Sequence, residues 1–108
     1  MRITGGTYRG RLLKTPQNHH IRPASDKIRQ AVFNMLASEG FPADADVLDC
    51  FCGTGSYGLE ALSRGADSCI FIDKDTTLCS TNIDILDLQH STKTLKSDIT
   101  KLKPRPAA

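Results

Sequence analysis

The sequence has no apolar run long enough to cross a membrane, and its N-terminus has no apolar signal core. A cytoplasmic protein is the expectation. Zinc-ribbon spacing is missing too. Cys50 and Cys52 flank Phe51, whereas Cys69 and Cys79 lie far off, so buried free thiols acting as small hydrophobes are expected and no metal. His19 and His20 are adjacent, point in different directions and make a poor chelating pair. No Ser-His-Asp or Cys-His set can be assembled, which removes the common nucleophilic hydrolases. At 108 residues the chain allows one small domain, and 39% hydrophobic with 24% charged residues is ordinary for a globular protein.

Charge is present but unevenly placed. Residues 1–30 carry seven Lys or Arg against Asp26 alone, a balance of +6, while residues 31–108 carry seven against eleven acids, a balance of −4. A basic N-terminal arm on a mildly acidic body points to a polyanionic partner.

The stretch Val47 to Gly58 reads VLDCFCGTGSYG. Val47, Leu48, Cys50 and Phe51 form a short apolar run of the kind that makes a strand buried on both faces. Gly53, Thr54 and Gly55 follow as a tight loop, and Ser56 is placed to cap a helix through Leu62. A glycine loop between a strand and a helix N-terminus lets backbone N–H groups approach a ligand closely. Two cofactors fit these letters. Gly53-x-Gly55-x-x-Gly58 satisfies the dinucleotide fingerprint, with Asp73 about 20 residues on, where a ribose-binding acid belongs. Asp49 favours the other, S-adenosylmethionine, because a carboxylate at the end of the strand would repel a pyrophosphate and welcome a cationic group.

The rest of the chain builds around this loop. Gly5-Gly6 between Ile3-Thr4 and Thr7-Tyr8 signals a hairpin, which must lean on the body or on a partner. Ser25 and Asp26 open a first helix, in which Ile28, Val32, Met35 and Leu36 repeat at helical spacing and Arg29 can pair with Asp26 on the exposed side. Gly40 and Pro42 close it. The helix from Ser56 ends at Gly65, Ser68–Ile72 is a second strand, Asp75 or Thr76 caps a third helix, and Thr94–Lys96 is a third strand. The order β-α-β-α-β predicts a parallel sheet with right-handed crossovers and ligands beyond the strands' carboxyl ends. Asp49, Asp73 and Asp98 sit at or near three such ends.

These residues resemble the bacterial 16S rRNA guanine-N2 methyltransferases of the small ribosomal subunit. Arg2-Ile3-x-Gly5-Gly6-x-Tyr8-Arg9-Gly10-Arg11 resembles that family's N-terminal hairpin, and Arg22-Pro23-x-x-Asp26-x-x-Arg29 with Phe33-Asn34-x-Leu36 resembles its first helix. Leu48 to Gly65 is similar to its cofactor loop and following helix. The resemblance implies a Rossmann-like methyltransferase fold, a parallel three-layer α/β/α sheet preceded by a β-hairpin, here truncated. It divides the chain into a basic hairpin arm and loop over 1–22 and the first half of a cofactor domain over 23–108. It places Asp49 near the methionine end of S-adenosylmethionine, Gly53, Thr54 and Gly55 along the loop, Asp73 on the ribose hydroxyls and Asp98 on the adenine amine. It assigns Arg2, Arg9, Arg11, Arg22 and Arg29 to phosphates of 16S rRNA, in the small ribosomal subunit or its assembly intermediate.

One part of the family pattern is missing. After a fourth strand such proteins carry an Asn/Asp-Pro-Pro-aromatic motif that holds the guanine amine and stacks on the base, and Pro104-Arg105-Pro106 does not replace it. The 108 residues alone are therefore expected to be catalytically incompetent. A non-catalytic RNA-binding remnant, methylation of another nucleic acid and a nicotinamide-dependent oxidoreductase are the competing readings.

Overall fold

A computed structural model describes residues 1–16 and 25–101. The expected boundary at residue 22, and the Pro-rich tail from 102 onward, lie outside the described residues.

Helix α1 spans Asp26–Ser38 and starts where its cap predicts, the Ser25 hydroxyl accepting from Ile28 N–H at 3.1 Å. Its core-facing side differs from the expected one. Arg29 and Phe33 point inward, while Ile28 and Met35 are exposed. Strand β1 (Asp46–Cys50) leads through the glycine loop into α2 (Ser56–Ser63), then β2 (Ser68–Asp73), α3 (Thr77–Leu86) and β3 (Thr92–Lys96). The strands pair in parallel in the order β1-β2-β3, with Leu48 opposite Ile70 and Ile72 opposite Leu95.

The helices cover one face of this sheet. Cys69 and Phe71 of β2 are buried against Leu59, Leu62, Cys79, Ile83 and Leu86 of α2 and α3. Gly58 makes that contact possible, since a Cβ there would run into the Phe71 ring and the Cys69 thiol. The other face is open at Leu48, Ile70 and Leu95, which are 58%, 38% and 40% exposed, while Ile72 on the same face is buried. The expectation of a strand buried on both faces thus fails for β1. Of the three layers expected, two are built among the described residues, because no helix lies over that face.

Residues 1–16 fold back as a loop whose ends meet at one antiparallel bridge, Arg2 with Leu12, supported by Ile3 N–H to Arg11 O and Leu13 N–H to Met1 O. Ile3 and Leu13 belong to the same core as the sheet, so this segment leans on the body. Among the described residues no helix is long and apolar enough to cross a membrane, and all four cysteines are free.

Candidate cofactor site and nucleic-acid face

The site is the turn from β1 into α2. Phe51, Gly53 and Gly55 all adopt positive φ, at 58°, 54° and 82°. For glycine this conformation is free; for phenylalanine it costs energy and swings the ring off the strand into solvent. Gly55 N–H bonds back to Cys52 O at 2.7 Å, closing the turn. Behind it, the buried Asn82 of α3 donates to Thr54 O at 2.9 Å and to Lys14 O at 3.0 Å, and accepts from Lys14 N–H at 2.7 Å. One amide therefore fixes the loop to the N-terminal segment.

In front of the loop lies a cleft of about 540 Å³, a size that suits a small ligand. Its walls include Phe51, Gly53, Thr54, Tyr57, Asp73 and Leu78. A Cβ built on Gly53 would meet nothing within 4 Å, so the backbone there is open to an approaching group. Asp73, at the carboxyl end of β2, accepts from Gly53 N–H at 2.8 Å through one oxygen and faces the cleft.

Of the three acids expected to converge, Asp73 alone lines this cleft. Asp49 is drawn to the other side of the turn, where its carboxylate accepts from Gly58 N–H at 3.0 Å and faces a groove along β1. It caps the first turn of α2, whose N-cap position is held by Gly55 without a side-chain bond. Burial pushes the Asp49 carboxyl above its usual value, the Gly58 bond opposes this, and the nearby Asp73 charge adds to it. Asp98 is engaged by Thr100, whose N–H and hydroxyl donate at 3.0 and 2.6 Å, and by Lys74 at 3.7 Å. These contacts hold its pKa below the ordinary carboxylate range, the Thr100 bonds leading. It does not line the cleft.

The five arginines expected to touch RNA separate as well. Arg2, Arg9 and Arg11 are exposed on the N-terminal loop, Arg2 donating to Gly10 O and Arg11 to Ile85 O, both at 2.9 Å. Arg22 lies outside the described residues. Arg29 is a correction: its side chain is fully buried, paired with Glu60 at 2.9 Å and with Asp26 at 2.9 Å, and donates to Arg2 O. The expected Asp26 pair exists, but the guanidinium points into the body and cannot meet a phosphate. Glu60, also fully buried, collects Thr4 N–H, Thr4 hydroxyl, Gly5 N–H, Arg29 and Arg64. Burial raises its carboxyl, but the bonds from Arg64, Thr4 and Arg29 outweigh this and leave its pKa lowered.

Asn82, Glu60, Phe51 and Tyr57 were not legible as site residues. Asn82 and Glu60 read as ordinary helical positions, and their partners lie far away in sequence. A parallel sheet of this connectivity, with a glycine turn opening onto an acid at the end of the second strand, defines a Rossmann-like α/β arrangement with its ligand cleft beyond the carboxyl ends of the strands.

The comparisons with known proteins agree. The family described as conserved hypothetical protein 95 matches residues 1–108, and the chain belongs to it. Ribosomal RNA small subunit methyltransferase D of Escherichia coli (strain K12) is 47% identical over 75 residues, covering 69% of this chain and 37% of that protein. YlbH of Bacillus subtilis (strain 168) is 36% identical over 101 residues, covering 91% of this chain and 54% of that protein. The solved structure of Escherichia coli yhhF superposes with a TM-score of 0.77 at 36% identity, over 91% of this chain and 52% of that one. The chain thus spans about half the length, or less, of these relatives.

Proposed function

We propose that this chain is the S-adenosylmethionine-binding half of an RNA methyltransferase that modifies the exocyclic N2 of a guanine in 16S rRNA, on the small ribosomal subunit or its assembly intermediate. The observation that carries the cofactor is the first turn of α2. Ser56 N–H is taken by the Thr54 hydroxyl at 3.3 Å and Gly58 N–H by the Asp49 carboxylate at 3.0 Å. The anion position that a pyrophosphate needs therefore already holds a carboxylate. That disfavours a dinucleotide and supports a cofactor without phosphates.

The residues present fit such a molecule. Asp73 offers its carboxylate to a vicinal diol, the open backbone at Gly53 admits the ligand closely, and Phe51, Tyr57 and Leu78 form apolar walls for a purine. Asp49 acts here as a positioning residue for the loop. When bound, S-adenosylmethionine supplies an electrophilic methyl group on its sulfonium. Arg2, Arg9 and Arg11 supply phosphate contacts from an exposed loop. The relatives called ribosomal RNA small subunit methyltransferase D support ribosomal RNA as substrate. The missing base-holding motif supports an RNA- and cofactor-binding unit that does not turn over alone.

Calorimetric titration of the chain with S-adenosylhomocysteine and, separately, NADH tests the reading. Binding of the first and none of the second is expected. The reverse outcome, or binding of neither by a folded chain, would overturn the cofactor assignment.

A further inference from the structure

One buried side chain joins the N-terminal arm to the glycine turn. Asn82 is fully buried on α3, where the other inward residues, Cys79, Ile83 and Leu86, are apolar. An amide in such a place is costly unless its polar groups are paired, and here they are. Its N–H₂ donates to Lys14 O at 3.0 Å and to Thr54 O at 2.9 Å, and its oxygen accepts from Lys14 N–H at 2.7 Å. Residue 14 is thus gripped through both backbone groups, as by a neighbouring strand. Pro16, two residues on, stands with Thr54 in the wall of the cofactor cleft. The Thr54 hydroxyl donates to the Met1 sulfur at 3.6 Å, and Met1 O accepts from Leu13 N–H at 2.8 Å, so the arm meets the turn a second time. Arg11 donates to Ile85 O on the same helix at 2.9 Å, while Arg9, Arg11 and Lys14 are exposed. One short segment therefore turns cations to solvent and a cleft wall inward.

We infer that Asn82 is a positioning residue through which RNA bound on the arm and cofactor bound in the cleft strengthen each other. The inference rests on the reading of this chain as an RNA- and cofactor-binding unit. The physical route is short. An RNA strand lying across Arg9 and Arg11 holds the arm against α3. Asn82 passes that restraint to Thr54 O on one side and, through Lys14, to Pro16 on the other. Both are parts of the cleft that an entering ligand would otherwise have to order. Ordering accomplished by the first ligand need not be repeated for the second. The relation is reciprocal by thermodynamic necessity: whatever factor RNA adds to cofactor affinity, the cofactor adds to RNA affinity. An apolar residue at this position would serve the packing of α3 on the sheet. It could not bond to backbone groups 68 and 28 residues away in sequence, which is what ties the two sites together.

Equilibrium dialysis measures the affinity of the 108-residue chain for S-adenosylhomocysteine with and without saturating 16S rRNA transcript, and filter binding measures the reverse. The wild type should show the same factor in both directions, about fivefold or more. In Asn82→Leu, which removes all three bonds, that factor should fall to about one. Pro16→Gly, at a half-buried position outside the core, loosens the link from residue 14 to the cleft wall and is an independent second probe. It should lower the factor while its affinity for RNA alone stays within about twofold of wild type. A side chain with a structural role only would lower stability, read by circular dichroism, and leave the factor intact. A folded Asn82→Leu chain that keeps the full factor would therefore overturn the inference; if that variant does not fold, an unchanged factor in Pro16→Gly does so. A wild-type chain that binds both ligands independently would overturn it as well. Failure to bind one of the ligands at all would instead overturn the functional reading, and the inference would fall with it.

Discussion

Replacing Glu60 by glutamine tests the central electrostatic feature of the structure. The carboxylate is fully buried and joins three parts of the chain: Arg29 of α1 at 2.9 Å, Arg64 after α2 at 2.9 Å, and Thr4 and Gly5 of the N-terminal loop at 3.0 Å each. Glutamine keeps the shape and one acceptor oxygen. It turns the other oxygen into an amide N–H₂ facing donors, and it removes the charge that Arg29 depends on. Asp26, on the surface side, remains as the partner of a fully buried guanidinium. Breaking a buried pair by removing one member costs about 3–5 kcal/mol. Set against roughly 5–15 kcal/mol for a domain, and the lower end for one this small, most of the stability is lost.

Urea unfolding followed by circular dichroism measures this directly. A loss below about 1 kcal/mol, the worth of an exposed pair, would refute the reasoning. A second substitution sharpens the test. Arg29→Met combined with Glu60→Leu removes both charges, and should recover much of the loss that either charge change alone produces. The pH dependence has a definite sign. The folded pKa of Glu60 lies below its ordinary value of 4.5, so its contribution is complete above that pH. It is lost as pH falls through the folded value. Acid unfolding of the wild type should therefore steepen below about pH 4.5, and the Glu60→Gln variant should lack that steepening.

Asp73→Ala should weaken S-adenosylhomocysteine binding by about 1.5–3 kcal/mol through the loss of charge-assisted bonds, read by calorimetry; unchanged affinity would remove Asp73 from the site. Asp49→Asn keeps an acceptor for Gly58 N–H and deletes a buried charge, so thermal stability at pH 7 should hold or rise while cofactor affinity stays within about threefold of wild type. A large loss of affinity in that variant would mean that the carboxylate touches the ligand. Gly58→Ala should cost about 1–3 kcal/mol in a urea titration, since its methyl group meets the Phe71 ring and the Cys69 thiol. Neutralising Arg9 and Arg11 together should weaken RNA binding and flatten its salt dependence by about two contacts; an unaltered slope would place the phosphates elsewhere.

What could be read from the sequence was local. Ser25 marked the start of α1, the glycines marked the turn, and the alternation of short apolar runs with helical stretches gave the parallel sheet, because each of these signals acts over a few residues. The phase of α1 was not local. Ile28, Val32 and Met35 repeat at helical spacing on a side of their own, and nothing nearby indicates that the inward side is the one carrying Arg29 with Phe33. That choice is made by Glu60, thirty-one residues away, whose charge allows Arg29 to be buried. Asp49 and Asp98 follow the same logic. Each stands near a strand end, as the spacing requires, but a carboxylate goes to the strongest donors within reach. Gly58 N–H claims Asp49 and Thr100 claims Asp98, so of the three acids at the strand ends Asp73 alone reaches the cleft, where its neighbour is Asp75.

The same contrast explains why the cleft and the groove along β1 lie on opposite sides of one turn. Phe51 at positive φ leaves the strand toward the cleft, while Leu48, three residues earlier, stays on the bare face. Asp49 lies between them and bonds across to α2, so the geometry of the loop depends on where β1 sits. A strand added to the outer edge of β1 would fix that position from the side opposite β2. Closure of the sheet would then tighten the Asp49–Gly58 bond and, through it, the backbone at Gly53 that the cofactor approaches. Affinity for S-adenosylhomocysteine, read by calorimetry, should therefore be higher in a longer relative such as Escherichia coli yhhF than in this chain. Equal affinity in the two proteins would show that the two sides of the turn are energetically independent.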